Sequence, residues 1–125
     1  MIKNYLGGYK NILITGGAGF IGKNLILKLL KDYSSKVFCI DKLGYASDLS
    51  AIENSNLKSN LDLFHFLNVD LEDKLTTLEA IKSVSPDLIF HLAAESHVDK
   101  SIMIPENFIN SNIIGTFNLL EAIRV

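Results

Sequence analysis

Three glycines spaced three residues apart place the strongest constraint on what this chain can fold into. Gly16, Gly19 and Gly22 follow the apolar run Asn11–Thr15, which predicts a buried strand. They precede Lys23–Tyr33, where leucines and an isoleucine recur at helical spacing. Glycines in a first strand-to-helix turn let the backbone approach an anionic group, and the helix N-terminus supplies free N–H groups. The alternative is a tight turn that merely needs glycine.

The loop also fits a second spacing, through Gly17, Gly19 and Gly22. Both spacings are typical of loops that hold the diphosphate of a dinucleotide, provided that a strand precedes and a helix follows. We therefore predict the cofactor phosphates here. Phe20 and Ile21 lie between the last two glycines of the loop. They are expected to face the core and, with Gly16, Gly19 and Gly22, to belong to the cofactor site.

Short apolar runs alternate with amphipathic ones along the rest of the chain. Strands are predicted at Lys36–Ile40, Leu61–Val69 and Leu88–Leu92, and helices at Asp48–Asn54, Glu72–Val84 and from Pro105 towards the C-terminus. Strands alternating with helices predict an α/β fold: a Rossmann-type, doubly wound parallel sheet with the order 3-2-1-4, truncated after about four strands. We assign residues 1–10 to a flexible lead-in and residues 11–125 to one incomplete dinucleotide-binding domain that lacks a substrate domain.

Composition excludes several functional classes. The net charge is −2, so no basic field indicates nucleic acid as a partner. Cys39 is the only cysteine, which rules out an internal disulfide, and its apolar setting predicts a buried strand residue. No apolar run approaches the length of a membrane span, so we expect a cytoplasmic protein with no membrane partner. We assign no metal site.

Asp41 ends the second predicted strand and is the next candidate for the site. It follows Gly22 by 19 positions (41 − 22), which is where a carboxylate meets the ribose hydroxyls of NAD. A carboxylate there also repels the extra phosphate of NADP. The neighbouring Lys42, also placed in the cofactor site, could partly offset that repulsion. The alternative for Asp41 is a structural aspartate that caps the strand end.

Asp70 and Leu71 follow the third predicted strand. At this edge of a doubly wound sheet, Asp70 could accept a hydrogen bond from the adenine amino group, with Leu71 against the ring. The alternative for Asp70 is the N-cap of the helix Glu72–Val84. The two roles are compatible.

The loop after the fourth predicted strand supplies the remaining candidates. Ala93–Ala94 would let the backbone approach the cofactor closely. Glu95, Ser96 and His97 would face the open side, where a substrate could lie. The alternative for His97 is a solvated loop histidine, whereas His91 lies within the strand and is expected to be a core histidine.

These residues resemble a known family. The chain is similar to the extended short-chain dehydrogenase/reductase superfamily, and most closely to the nucleotide-sugar 4,6-dehydratases that act on dTDP-glucose. The stretches that carry the resemblance are Ile14–Gly22, Asp41–Leu49, His91–Ile102 and Pro105–Ala122. The first stretch is shared by the whole superfamily, and the second and third are more specific to the dTDP-glucose branch.

The resemblance implies a lyase with tightly held NAD as cofactor and dTDP-glucose, converted to dTDP-4-keto-6-deoxyglucose, as substrate. It places Ser111 near the cofactor, Ser96 and His97 near the substrate, and the full-length form in a homodimer. The family's chemistry uses a Tyr-x-x-x-Lys pair and an Asp-Glu pair. None of the four tyrosines here has a lysine four positions later. We therefore expect no catalytic residues within this chain, which looks like the N-terminal part of a longer enzyme and is expected to be inactive alone.

Two other functions fit the same residues. One is a different nucleotide-sugar epimerase or dehydratase of the superfamily. The other is a non-catalytic NAD-binding module.

Overall fold

Four parallel strands form one sheet in the computed structural model, which describes residues 5–44, 47–57 and 60–125. The strands are β1 (Asn11–Thr15), β2 (Lys36–Asp41), β3 (Phe64–Asn68) and β4 (Leu88–His91). They lie in the order β3-β2-β1-β4, so the predicted order and the doubly wound fold are confirmed. The beginning of the predicted lead-in (1–4), and Tyr45 and Ala46 of the second family-like stretch, lie outside the described residues.

Helices connect the strands and extend beyond the last one. They are α1 (Phe20–Asp32), α2 (Ser50–Glu53), α3 (Lys74–Val84), α4 (Val98–Met103), α5 (Pro105–Phe108) and α6 (Gly115–Arg124). A π-helical turn, Ile109–Ile114, joins α5 to α6, so the helix predicted from Pro105 is present with a wider turn inside it. The sequence did not predict α4. The predicted strand Leu61–Val69 is shorter than expected, because Leu61–Leu63 form a 3₁₀ turn before β3.

Alternation along β1 divides the core into two layers. Ile12 and Ile14 face one side of the sheet, whereas Leu13 faces the other, because successive side chains of a strand point in opposite directions. The first layer packs against α1 and includes Ile26, Leu29, Leu30, Val37, Cys39 and Ile52. The second layer packs against α3 and α6 and includes Ile40, Leu71, Ala80, Ile81, Leu119 and Ala122. Cys39 is fully buried, as predicted, and burial raises the pKa of its thiol to about 12.

The segment before β1 is tied to the start of β4. The backbone N–H groups of Lys10 and Asn11 donate to the two carboxylate oxygens of Asp87, at 2.8 and 2.9 Å. These hydrogen bonds lower the pKa of the Asp87 carboxyl. Leu6 packs against the first core layer. These contacts fix the start of β1 beside the start of β4.

Candidate functional site

A cavity of about 500 Å³ opens at the carboxyl ends of all four strands. This is the edge of a doubly wound sheet where ligands bind, at the point where the strand order reverses. Every residue that the sequence predicted for the site lines the cavity: Gly16, Gly19, Phe20, Ile21, Gly22, Asp41, Lys42, Asp70, Leu71, Ala93, Ala94, Ser96, His97 and Ser111. The structure thus brings the whole predicted set together, and the binding role of each residue stays a prediction.

Two of the glycines are required by the backbone itself. Gly16 has a φ of +69°, which side chains rarely adopt, and a Cβ there would lie 2.7 Å from the backbone nitrogen of Ala93. A Cβ on Gly22 would lie 2.6 Å from the Cα of Gly17. The glycine loop therefore packs directly against itself and against the chain that leaves β4.

The surroundings of Gly17 and Gly19 show which of the two glycine spacings lines the cavity. Gly17 faces the core, where a Cβ would lie 2.5 Å from the sulfur of Cys39. Gly19 lines the cavity, and a Cβ there would meet only the Gly16 carbonyl oxygen, at 3.3 Å. The spacing that lines the cavity is therefore the one through Gly16, Gly19 and Gly22.

Phe20 and Ile21 do not face the core, so that expectation was wrong. They are 77% and 68% exposed and line the cavity, because the first turn of α1 projects beyond the sheet. The buried face of α1 begins at Gly22. Gly19, the N-cap, offers no side chain, and the first turn holds no acidic residue. The first N–H groups of a helix have no intrahelical partner, so the positive end of α1 lies at the cavity.

Asp41 joins the end of β2 to the glycine loop. Its Oδ2 accepts from the backbone N–H of Ala18 at 3.0 Å. Its Oδ1 accepts from the N–H of Leu43 at 2.7 Å and from the Ser47 hydroxyl at 3.0 Å. Both the structural alternative and the predicted ribose contact fit this placement, because the carboxylate also lines the cavity.

Lys42 belongs to a small polar cluster with Glu72 and Ser111. The Lys42 ammonium lies 3.4 Å from Glu72 Oε1, and the Ser111 hydroxyl donates to the same oxygen at 2.8 Å. All three residues line the cavity. The cation of Lys42 is therefore partly balanced by Glu72, which the sequence reasoning did not identify.

Asp70 is not the N-cap of α3, so that alternative was wrong. Asp73 caps the helix, where its carboxylate accepts from the N–H groups of Leu75 and Thr76. Asp70 instead turns the chain ahead of the helix, since its Oδ1 accepts from the N–H of Glu72 at 3.0 Å. Both Asp70 and the mostly buried Leu71 line the cavity.

The chain that leaves β4 forms the remaining wall. Ser96 and His97 are exposed and lie at the cavity, and His97 occupies the N-cap position of α4 without a side-chain capping hydrogen bond. Asn112 holds the wall from the π-helical turn: its Oδ1 accepts from the Glu95 N–H at 2.8 Å, and its Nδ2 donates to the Glu95 carbonyl at 3.0 Å.

His91 lies in β4 as predicted, but it is half-buried rather than a fully buried core residue. Both ring nitrogens have hydroxyl partners, on Thr15 and Thr116. Burial lowers the pKa of its imidazole.

Several further lining residues were not predicted. They are Ile40, Gly44, Ser47, Val69, Glu72 and Leu92, whereas Glu95, which was expected to face the open side, also lines the cavity. Most of them adjoin residues that the sequence placed at strand ends, so their position in the sequence was the signal that could have identified them. Within the described ranges, no group of three or more His, Cys, Asp or Glu side chains could hold a metal ion. Over the same part of the chain, no helix has the length and apolar character that a membrane span requires.

The fold and the cavity define a Rossmann-type α/β protein with an open cavity at the switch point of the sheet. The sequence matches the family described as GDP-mannose 4,6 dehydratase over residues 13–125, and the chain belongs to this family. It is 42% identical over 117 residues to the dTDP-glucose 4,6-dehydratase of Neisseria gonorrhoeae, covering 94% of this chain and 33% of that relative. The same enzyme from Salmonella typhimurium is 42% identical over 113 residues, which is 90% of this chain and 30% of that relative. The predicted resemblance is confirmed.

Solved structures agree with this assignment. DesIV, the dTDP-glucose 4,6-dehydratase of Streptomyces venezuelae with NAD and TYD bound, has a TM-score of 0.75 at 33% identity, covering 89% of this chain and 34% of that chain. The UDP-glucose 4-epimerase of Thermus thermophilus, in complex with NAD, has a TM-score of 0.75 at 34% identity, covering 90% and 33%. The chain therefore spans about a third of the length of the proteins it matches.

Proposed function

We propose that this chain binds NAD in the cavity at the carboxyl ends of its strands, as the cofactor-binding part of a nucleotide-sugar 4,6-dehydratase acting on dTDP-glucose. The observation that carries the proposal is the convergence of the glycine loop, the uncapped start of α1 and two strand-end aspartates on one cavity. DesIV and the Thermus thermophilus epimerase, both solved with NAD, share this fold.

We assign these residues to the parts of a dinucleotide in order along the sheet edge. In our proposal the diphosphate lies against Gly16, Gly19 and the N–H groups that begin α1, because glycine allows close approach and the helix N-terminus attracts anions. Asp41 receives the ribose hydroxyls, and Asp70 the adenine amino group. Lys42, Leu71, Phe20, Ile21 and Ser111 complete the walls around the adenosine half.

The other half of the cavity would serve the reaction. Ala93 and Ala94 give the nicotinamide ring a close approach to the backbone beyond β4. Ser96 and His97 would meet the sugar nucleotide on the exposed side. NAD, when bound, supplies reversible oxidation of the sugar. We assign the residues of this chain to binding and orientation, with no catalytic residue among them. We also propose that the full-length protein forms a homodimer.

Titration calorimetry tests the cofactor proposal. NAD⁺ should bind the 125-residue chain, and NADP⁺ should bind more weakly because its phosphate would meet Asp41. Equal or tighter binding of NADP⁺ would contradict the assignment of Asp41. Absence of any NAD⁺ binding would contradict the proposed function as a whole.

Product analysis tests the division of labour. Incubated with NAD⁺ and dTDP-glucose, the chain alone should form no 4-keto-6-deoxy product, because general acid–base catalysis needs a positioned proton-transfer group and the chain has no Tyr-x-x-x-Lys pair. Sustained turnover in a preparation free of host enzyme would place the catalytic residues within this chain.

A 4-epimerase is the second candidate function. The observation that favours it is the similarity to solved UDP-glucose 4-epimerases, with TM-scores of 0.74 for Thermotoga maritima and 0.75 for Thermus thermophilus. Sequencing the coding DNA beyond Val125 separates the two. An Asp-Glu pair after a threonine would support dehydration, and its absence from that downstream sequence would support epimerisation.

A further inference from the structure

His91 connects β1, β4 and the helix that follows the cavity wall. Its Nδ1 lies 2.6 Å from the Thr15 hydroxyl oxygen, and its Nε2 lies 2.9 Å from the Thr116 hydroxyl oxygen. Distance alone does not say which partner donates in either pair. The other hydrogen bonds of the two threonines decide it.

At the Thr15 end, the hydroxyl oxygen already accepts two N–H groups. The backbone N–H of Ala93 donates to it at 3.2 Å, and the N–H of Leu92 is shared between this hydroxyl, at 3.2 Å, and the Thr15 carbonyl oxygen, at 3.0 Å. A hydroxyl has two acceptor lone pairs and one proton. The proton of Thr15 is therefore left for His91, and Nδ1 must accept it.

At the Thr116 end, the same conclusion follows independently. The Thr116 hydroxyl lies 2.7 Å from the carbonyl oxygen of Asn112 and donates to it. A carbonyl oxygen can only accept, so the single proton of Thr116 is committed there. Nε2 of His91 must then carry a proton and donate it to Thr116.

We propose that His91, neutral and protonated at Nε2, is a positioning residue that holds the backbone from Leu92 to Glu95 as a wall of the cavity. On one side, His91 bonds the hydroxyl of Thr15, which accepts from the N–H of Ala93. On the other side, His91 bonds the hydroxyl of Thr116, which donates to the carbonyl oxygen of Asn112. The Asn112 side chain in turn bonds both the N–H and the carbonyl oxygen of Glu95. We call this chain of hydrogen bonds the His91 relay. Partial burial lowers the pKa of the imidazole, which agrees with a neutral ring.

A shift of this wall would reach the glycine loop. Gly16 lies so close to Ala93 that even a Cβ would not fit between them. The wall and the glycine loop border the same cavity, so a shift of the wall should change cofactor affinity. This part of the proposal rests on the proposed function. The tautomer and the order of the wall do not depend on any ligand.

Nitrogen NMR of the unaltered chain tests the tautomer directly. We expect a pyridine-type shift at Nδ1 of His91 and a pyrrole-type shift at Nε2 near neutral pH. A proton on Nδ1, or a charged ring, would overturn the proposal. This measurement needs no variant and no cofactor.

Amide hydrogen exchange tests the positioning role. His91→Phe keeps a ring but removes both hydrogen bonds, and we expect the amide of Ala93 to exchange about tenfold faster, as for the loss of one buried hydrogen bond. His91→Asn can keep the acceptor towards Thr15 and should restore most of the protection at Ala93. His65→Phe is the matched control, because His65 is exposed and stacks on Phe38 far from this relay.

Thr116→Val removes only the hydroxyl that accepts from His91 Nε2, and it replaces His91→Phe as the test variant if His91→Phe fails to fold. It should speed exchange at Glu95 more than at Ala93. Unchanged exchange at both amides in a folded variant would overturn the positioning role. NADH affinity should fall several-fold in His91→Phe and stay unchanged in His65→Phe. Failure of the unaltered chain to bind NADH would contradict the proposed function alone, since the tautomer and the exchange rates are measured without ligand.

Discussion

Substitution of single glycines can separate the folding role of the loop from its proposed binding role. Gly19 and Gly22 both line the cavity, but their surroundings differ. A Cβ on Gly22 would lie 2.6 Å from Gly17 Cα and 3.0 Å from the Gly16 carbonyl carbon, both of them backbone atoms. A Cβ on Gly19 would meet only one oxygen, at 3.3 Å, and its φ of −75° suits any residue.

These distances give two different magnitudes. Gly22→Ala forces backbone apart, so the free energy of unfolding should fall by about 2–3 kcal/mol, at the upper end of overpacking costs. Gly19→Ala should cost less than about 1 kcal/mol, as for a substitution without a severe clash. Its side chain would nevertheless stand between the loop and a diphosphate, so NADH affinity should fall by about tenfold or more, which is about 1.4 kcal/mol.

Urea unfolding and NADH fluorescence titration measure the two effects on the same preparations. Gly8→Ala is the matched control, because a Cβ there would meet nothing within 4 Å and Gly8 does not line the cavity. It should change neither quantity. If Gly19→Ala binds NADH as tightly as Gly8→Ala does, the diphosphate does not lie against Gly19 and the reasoning is refuted.

Three further predictions concern single side chains. Asp41→Ala should weaken NAD⁺ binding by about 1–3 kcal/mol in calorimetry, the scale of lost charge-assisted hydrogen bonds, and should narrow the preference over NADP⁺; an unchanged preference would contradict the ribose assignment. Asp87→Ala should lower the urea midpoint at neutral pH. Folding lowers the pKa of Asp87, so its contribution to the free energy of unfolding is present above its unfolded pKa and is lost as the pH falls through its folded pKa. The midpoints of the variant and the unaltered chain should therefore converge in acid, and a constant difference between them would argue against this origin. Cys39, fully buried with a pKa of about 12, should be alkylated only on unfolding; rapid labelling of the native chain, followed by mass spectrometry, would show that the first core layer opens.

Local patterns were sufficient to predict the sheet and most of the site. The apolar run of β1, the glycines after it and Asp41 after β2 each carry their signal within a few residues. Because parallel strands of a doubly wound sheet end at one edge, these local signals converge in space without further information. The order 3-2-1-4 is the arrangement typical of the doubly wound fold that the alternation of strands and helices predicts.

Contacts between distant residues account for what the sequence did not reveal. Glu72 enters the site through Lys42 and Ser111, 30 and 39 positions away. Asn112 holds Glu95 across 17 positions. No local periodicity marks such pairs.

The two errors have a different origin. Phe20 and Ile21 are apolar, but the first turn of α1 extends past the sheet and has no core to face. Asp70 and Asp73 are both suitable caps, and the start of α3 at Lys74 selects Asp73. Apolar character and capping tendency were recognised correctly, whereas the exact start of each helix relative to the sheet was not.

An NMR titration of the labelled chain with NAD⁺ tests the central claim most directly. The amide signals of the glycine loop, of Asp41 and Asp70, and of Ala93 should shift together with one affinity. Residues 34–36 line a smaller depression at the opposite edge of the sheet, and the chemical shifts of their amides should not change. Shifts confined to that opposite edge, or no saturable shift at the glycine loop, would contradict the assignment of the cavity as a dinucleotide site.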